Sequence, residues 1–346
     1  MKGKRVVIAM SGGVDSSVSA ALLVEAGYDV TGVSMQLYDP PPDLTDARRV
    51  AQQLGIPHET LDLRRQFRQI IIDYFVGEYG AGRTPNPCVR CNERFKFGLL
   101  LERALAMGGD YLATGHYARV IADRGGTIWL TAGDDPSKDQ SYFLFALPQA
   151  TLRRVIFPVG ELTKVRVREI ARQRGLPVAQ KSESQEVCFI PDNDYVRFIQ
   201  QRGGGLPPGD IALPDGTVIG RHEGLHRYTV GQRRGLGIAW SHPLHVVRLE
   251  PAVNRLIVGP RELLAGRGLA ASGGVWNIPP EKEFRARCRI RYRHHPSPCL
   301  VTIGDGGAFT VIFDEPQYAI TPGQAAVIYD GDRVLGGGWI DSPLPA

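Results

Sequence analysis

The chain runs Arg5-Val6-Val7-Ile8-Ala9-Met10 straight into Ser11-Gly12-Gly13-Val14-Asp15-Ser16-Ser17. Val6 to Ala9 is too short and too β-branched for a helix, whereas Val18, Ala21, Leu22 and Val24 recur at helical spacing, so a buried strand must turn directly into a helix N-terminus. Gly12 and Gly13 let the backbone bend sharply and approach a ligand, and the helix start behind them offers unpaired N–H groups at its positive end. Ser11, Ser16 and Ser17 add hydroxyls. The loop lacks both the lysine of a Walker A loop and the three glycines of a dinucleotide fingerprint. An ordinary turn built from Gly and Asp is the alternative to a pyrophosphate cradle; a position at the head of a βαβ series favours the cradle.

That series continues to about residue 180. Apolar periodicity predicts strands over 30–37, 58–63 and 111–115, and helices over 44–54, 66–78, 95–107, 140–147 and 164–175, the last capped by Thr163 and stopped by Gly175. Such alternation predicts an α/β fold with a doubly wound parallel sheet, binding ligands at the carboxyl ends of its strands. After residue 195 come Gly203-Gly204-Gly205, Pro207-Pro208-Gly209 and short alternating strands, which read as two small β-rich barrels. The expected domains are 1–196, 197–262 and 263–346. No apolar run among the 346 residues has transmembrane length, and a first strand at about residue 4 leaves no room for a signal peptide, so a cytoplasmic protein with no membrane contact is expected. A net charge of +5 suits a polyanionic partner.

Five cysteines make an odd count, which favours thiol chemistry or metal binding over a disulfide framework. Cys288 and Cys299 sit in strand-like sequence and read as ordinary core or surface thiols. Cys88 and Cys91 lie in Arg83-Thr84-Pro85-Asn86-Pro87-Cys88-Val89-Arg90-Cys91-Asn92, a rigid turn expected to end just before a helix. Arg90, Arg94 and the positive helix end should lower the pKa of Cys91 and make it a nucleophile. Cys188 follows 97 positions later.

The Ser11–Ser17 segment resembles the PP-loop of the ATP pyrophosphatase superfamily, whose members adenylate a substrate oxygen and expel pyrophosphate. Arg83 to Lys96, Lys138-Asp139-Gln140-Ser141-Tyr142 and Ser184-Gln185-Glu186-Val187-Cys188-Phe189 resemble signature segments of the bacterial tRNA-specific 2-thiouridylases, in order and approximate spacing. The resemblance implies a tRNA uridine 2-sulfurtransferase that uses ATP and Mg²⁺ to adenylate the C2 oxygen of the wobble uridine. It implies a persulfide on Cys188, Cys91 as the nucleophile, and a Cys91–Cys188 disulfide as sulfur leaves. It assigns ATP contacts to Ala9, Met10, Ser11, Gly12, Gly13, Val14, Asp15, Ser16, Met35 and Gly115, and target-base contacts to Asn86, Pro87 and Cys88. Contacts with the tRNA anticodon stem-loop fall on His116, Lys138, Asp139, Gln140, Arg291, Tyr292 and Gln324, and a persulfide-carrying donor protein is the second partner. Asp15 is a candidate to position Mg²⁺ or simply a helix-start residue.

Many members of that family carry Asp where this chain has Cys88. The change makes Cys88, Cys91 and Cys188 candidate ligands of a [4Fe–4S] cluster with one open iron; otherwise Cys88 is a small buried residue. Arg285, Arg287, Arg289, Arg291 and Arg293 alternate along an expected strand, aligning five guanidiniums on one face and Tyr292 on the other, either for RNA or as a solvated edge. Arg233-Arg234, within 228–237, forms a second basic segment. A PP-loop ligase using ammonia, and a tRNA-binding module without turnover, remain alternatives.

Overall fold

The computed structural model describes residues 3–39, 43–181 and 187–345. It divides into two compact units. The first comprises Met1–Ile71, Cys88–Phe189 and Gly331–Val334, the second Ile72–Pro87, Ile190–Asp330 and Leu335–Ala346.

In the first unit, β1 (Arg5–Ala9), β2 (Asp29–Gln36), β3 (His58–Asp62), β4 (Tyr111–Ala113) and β7 (Val155–Ile156) form a parallel sheet in the order β3-β2-β1-β4-β7. The chain leaves β1 toward β2 and β3, then returns to β4 on the other side of β1. That reversal opens a crevice at the carboxyl ends of β1 and β4, where doubly wound sheets bind ligands. Val6, Ile8, Val18, Leu23, Val30, Ala47, Val50, Val167 and Ile170 pack the core between the sheet and its helices. Gly55 ends the Thr45–Leu54 helix in a left-handed conformation, and, as expected, the Thr163 side chain caps Lys164–Gln173.

The helices differ from the periodicity in three places. The run expected over 66–78 starts at Arg64 and passes through a π-helical turn at Arg68–Ile72 before Asp73–Gly80. The run expected over 95–107 starts at Pro87, holds π-helical register over Cys91–Leu100, and ends at Ala106. The helix expected over 140–147 is only a 3₁₀ turn at Ser141–Leu144, because Asp139 Oδ1 captures the Ser141 amide at 3.0 Å and Gln140 is tied to Tyr117. An antiparallel hairpin of β5 (Ala118–Ala122) and β6 (Ile128–Ala132) went unread in the sequence.

The second unit is β-rich, as the composition change after 195 implies. β8 (Gly209–Ala212), β9 (Val218–His222), β10 (His245–Glu250) and β11 (Arg255–Gly259) form a four-stranded sheet around Ile211, Leu225, Val246, Leu256 and Val258. β12 (Ala265–Trp276), β13 (Glu283–Arg289), β14 (Ser297–Ile303), β15 (Phe309–Tyr318), β16 (Ala325–Asp330) and β17 (Arg333–Leu344) follow in the order β12-β15-β14-β13-β16-β17, and β17 pairs back onto β12. Closure into a six-stranded barrel leaves no edge within it. Cys288 and Cys299 are buried in its core, so they are structural thiols.

Candidate active site

The phosphate loop sits at the crevice between β1 and β4. Ser16 Oγ donates to the Gly13 carbonyl at 3.2 Å and accepts from the Ser11 amide at 3.3 Å, while Ser17 Oγ donates to Gly13 O at 2.8 Å. Gly12 has φ +71°, a conformation that favours glycine, and a Cβ there would already touch Asp46 and Ala47 at 3.4 Å. Gly115, just beyond β4, backs onto the loop: its missing Cβ would lie 2.7 Å from Ser16 N. Met10 and Val14 are buried, Ala9 ends β1, and Met35 lies near the end of β2 and is half-buried.

Two lysines far along the chain supply the positive charge that the loop itself lacks. Lys164 Nζ donates to both oxygens of Asp15 at 2.7 and 2.8 Å, and Tyr117 Oη donates to Asp15 Oδ1 at 2.7 Å. Lys181 Nζ donates to the Gly12 carbonyl at 3.0 Å and to Asp46 Oδ2 at 2.6 Å. Asp15 therefore has both oxygens engaged, by a lysine ammonium and a phenol. No local signal in the sequence marks Lys164, Lys181 or Tyr117, because their partners lie 102 to 169 positions away.

The thiols belong to the same unit, and their environment corrects the expected activation. Cys91 is inside a helical run rather than ahead of one. Arg90 Nη1 and Arg94 Nε both bind Glu93, at 2.9 and 3.2 Å, so neither guanidinium is committed to the thiol. Burial raises Cys88 to about 11 and Cys91 to about 12, and raises Cys188 as well. The Lys96 ammonium opposes the rise at all three, joined at Cys188 by backbone N–H groups. Cys88 and Cys188 are nonetheless exposed and Cys91 half-buried. The Ser184-Gln185-Glu186 part of the Cys188 motif lies outside the described residues.

His116 is buried between Phe97 and Phe157, with ring centroids 5.7 and 5.8 Å away, and shares a 2.6 Å hydrogen bond with Thr114 Oγ1. Burial, then the Lys96 charge, hold its pKa well below the usual histidine range, so the ring is neutral at neutral pH. Asp139 is buried, accepting from Gly133 N and from Ser141 N and Oγ, and Gln140 Oε1 accepts from Tyr117 N at 3.0 Å. Both brace the scaffold. Lys138 beside them is half-buried.

In the second unit, the 83–87 segment is bound to the barrel. Thr84 N donates to Pro322 O at 3.0 Å, and Gln324 Nε2 donates to the carbonyls of Thr84 and Pro85 at 3.0 and 3.1 Å. Gly323 has φ +88°, and a Cβ there would lie 2.8 Å from the Thr84 carbonyl. Gln324, expected on RNA, thus holds the segment that carries Asn86 and Pro87, both buried. The five-arginine face ends early: β13 stops at Arg289, which stacks over the Tyr292 ring at 5.4 Å, and Arg291 turns to donate to Tyr318 O at 3.0 Å. Arg285 pairs with Asp314, and Arg287 donates to Pro296 O. Arg291, Gln324 and Thr84 line one cleft of about 500 Å³.

A nucleotide-type crevice on a parallel α/β sheet, joined to a four-stranded β module and a closed barrel, defines a multidomain enzyme of the HUP class. Family models match in the same order: a tRNA methyl transferase HUP domain over residues 4–192, a tRNA methyl transferase PRC-barrel domain over 196–260, and an aminomethyltransferase β-barrel domain over 267–340. A tRNA-specific 2-thiouridylase MnmA from Geobacter metallireducens is 54% identical, covering 99% of this chain and 98% of its own. One from Geotalea uraniireducens is 52% identical over 98% and 96%, and one from Carboxydothermus hydrogenoformans 47% over 99% and 98%. The chain belongs to the tRNA-specific 2-thiouridylase family.

Proposed function

We propose that this chain replaces the C2 oxygen of the wobble uridine in tRNA with sulfur, at the expense of ATP. The observation that carries the reading is one unit holding a serine- and glycine-lined phosphate crevice together with three thiols that share one electrostatic neighbourhood. Family membership over the full chain supports it. The C2 oxygen attacks the α-phosphorus of ATP, and the α–β anhydride breaks to release pyrophosphate onto the loop amides and hydroxyls. A Cys188 persulfide, loaded by a persulfide-carrying donor protein, bonds its outer sulfur to C2 as AMP leaves with the C–O electron pair. Cys91 then attacks Cys188 Sγ and the persulfide S–S bond breaks, leaving 2-thiouridine and a Cys91–Cys188 disulfide that a thiol reductant returns to two thiols. With Cys91 raised to about 12, its proton must leave within the assembled complex, and Lys96 is the cation that favours the thiolate.

Asn86, Pro87 and Cys88 take the role of contacting the flipped-out base, which a single-stranded anticodon loop releases at low cost. Ser11 to Ser16, with Ala9, Met10, Met35 and Gly115, form the ATP site. Lys138 in the first unit and Arg291 and Tyr292 in the second take the expected tRNA contacts, while His116, Asp139, Gln140 and Gln324 support them from within the protein. Mg²⁺ would bind with the ATP phosphates, screening the charge that develops on the leaving pyrophosphate. A [4Fe–4S] cluster would take Cys88, Cys91 and Cys188 as its ligands, three thiols near enough to raise one another's pKa. Among the described residues no group of three or more His, Cys, Asp or Glu side chains gathers to hold a metal ion. No helix among them is long and apolar enough to cross a membrane, and the cytoplasm, where tRNA is found, is the proposed compartment.

The test is nucleoside mass spectrometry of tRNA treated with the protein, ATP and a sulfur donor. Cys188→Ser and Cys91→Ser should each abolish 2-thiouridine while tRNA affinity is retained. Wild-type turnover by both variants would overturn the two-cysteine chemistry and favour a ligase that uses ammonia.

A further inference from the structure

Pairing between β1 and β2 stops at Ala9↔Val33, and one backbone bond follows it, from Met10 N to Val33 O at 2.8 Å. In a parallel ladder the backbone groups of successive residues point to opposite neighbouring strands. Gly32 N donates to Pro57 O and Gln36 O accepts from Leu63 N, so Gly32, Ser34 and Gln36 face β3, whereas Val33 and Met35 face β1. The next rung toward β1 would run from Met35 N to Met10 O, and among the described residues it is not made. Met10 O accepts instead from the hydroxyl of the buried Ser34, at 2.6 Å. A carbonyl only accepts, so the single Ser34 proton goes to Met10, and the 2.9 Å contact with His58 Nε2 is a ring N–H donating to Ser34 Oγ. Burial, then the Arg48 charge, lower the pKa of His58, so the ring is neutral at neutral pH. Gly32 makes the room, since a Cβ there would lie 2.6 Å from Met10 Sδ and 3.1 Å from His58 Cδ2. After Met10 the chain turns into the phosphate loop, which leaves Met35 with an N–H and a C=O side by side, both aimed past the end of β1.

We propose that Ser34, held by His58, is a positioning residue for the nucleotide: by drawing the Met10 carbonyl out of the ladder it leaves the Met35 N–H and C=O free to pair with the Watson–Crick edge of adenine. The inference rests on the ATP reading above, which places Met35 at the nucleotide, and adds the two side chains that keep its backbone available. Adenine presents the acceptor N1 beside its donor amino group, the complement of an N–H beside a C=O. Guanine presents a donor N1–H beside the acceptor O6, so both contacts are mismatched, and a site built on hydrogen bonds rejects such an analogue strongly. Ser34 and His58 thereby set the preference for ATP without touching the base.

The experiment is equilibrium binding of ATP and of GTP to the full-length protein without tRNA, with amide hydrogen exchange at Met35 followed alongside. The wild type should prefer ATP by about a hundredfold. Its Met35 amide should exchange fast in the free protein and become protected when ATP binds. Ser34→Ala lets Met35 N–H close onto Met10 O, so it should weaken ATP about tenfold while changing GTP by less than about twofold. Its Met35 amide should be protected with no nucleotide present. His58→Gln, which keeps an N–H donor, should hold the wild-type preference, and His58→Leu should fall between the wild type and Ser34→Ala. Equal loss of ATP and GTP affinity in Ser34→Ala would mean a distorted loop and would overturn the proposal. So would an unchanged ATP preference in that variant, or a Met35 amide already protected in the free wild type. If the wild type made no 2-thiouridine while Ser34→Ala still lost its preference, the thiolation reading would fall and the role of Ser34 would stand.

Discussion

The phosphate loop and the barrel-side cleft are built in opposite ways. Ser11 to Ser17 is local: seven consecutive residues supply amides, hydroxyls and a helix end, with no cation of their own. The cleft is non-local, drawing side chains from Thr84 to Gln324, two arginines among them. A cradle of backbone amides is set by φ/ψ, so a short sequence specifies it. A cradle of side-chain cations is set by packing, and it becomes visible only after the barrel has closed. The first should fail through backbone substitutions and resist salt; the second should fail through single charges and respond to salt.

The largest expected contrast is at the thiols of the first unit. At neutral pH, alkylation of Cys91 by iodoacetamide in the free protein should be at least about a hundredfold slower than that of an unperturbed cysteine, rising steeply only as pH climbs well above 9. Site-resolved mass spectrometry reads this, and rapid neutral-pH labelling of Cys91 would contradict the burial described. Next in size, Gly12→Val imposes a β-branched residue on φ +71° and on the Asp46–Ala47 backbone. It should cut tRNA-dependent pyrophosphate release by roughly a hundredfold, near 2.7 kcal/mol, with tRNA affinity unchanged. If affinity fell as well, the two sites would not be separable.

Gln324→Ala tests the reverse case. It removes the amide that holds Thr84 and Pro85, so the thiolation rate should fall by about tenfold while the salt slope of tRNA binding stays at the wild-type value. A lost slope with an unchanged rate would make Gln324 an RNA contact instead. Lys164→Met should cost about 2 kcal/mol of stability in urea unfolding, because Asp15 is left partly buried with only the Tyr117 hydroxyl. The smallest effect is His116. Its pKa is lowered in the folded state, so its contribution is full above about pH 6.5 and is lost as pH falls below that value, where only the unfolded chain takes up the proton. His116→Phe should flatten that acid-side loss.

Much of the first unit could be read from periodicity. β1, β2, β3 and β4 and the helices at 45–54 and 164–173 lie close to where hydrophobic spacing puts them, since each buries one face against its neighbours. The misreadings share a cause. Residues 140–147 look helical, yet Asp139 and Gln140 divert the backbone with side-chain hydrogen bonds. The run Arg285 to Arg293 looks like one strand, yet β13 ends at Arg289, where Arg289 stacks on Tyr292 and Arg291 turns to Tyr318. The expected activation of Cys91 counted Arg90 and Arg94 and overlooked Glu93, which takes both.

The sequence by itself determined the strand–turn–helix at Ser11 to Ser17, the parallel α/β order, the change to β structure after 195, and the spacing of Cys88, Cys91 and Cys188. These are consequences of local backbone preference and hydrophobic period, which act over a few residues. Only the tertiary structure decided that Lys164 and Lys181 serve the loop, that Lys96 is the cation the thiols feel, and that Gln324 holds Thr84 and Pro85. It also decided that Arg261, His245 and Tyr318 join Arg291 in one cleft. Apart from Lys96, which is near Cys91 in the chain, those are encounters between groups 27 to 240 positions apart, with no local period to betray them.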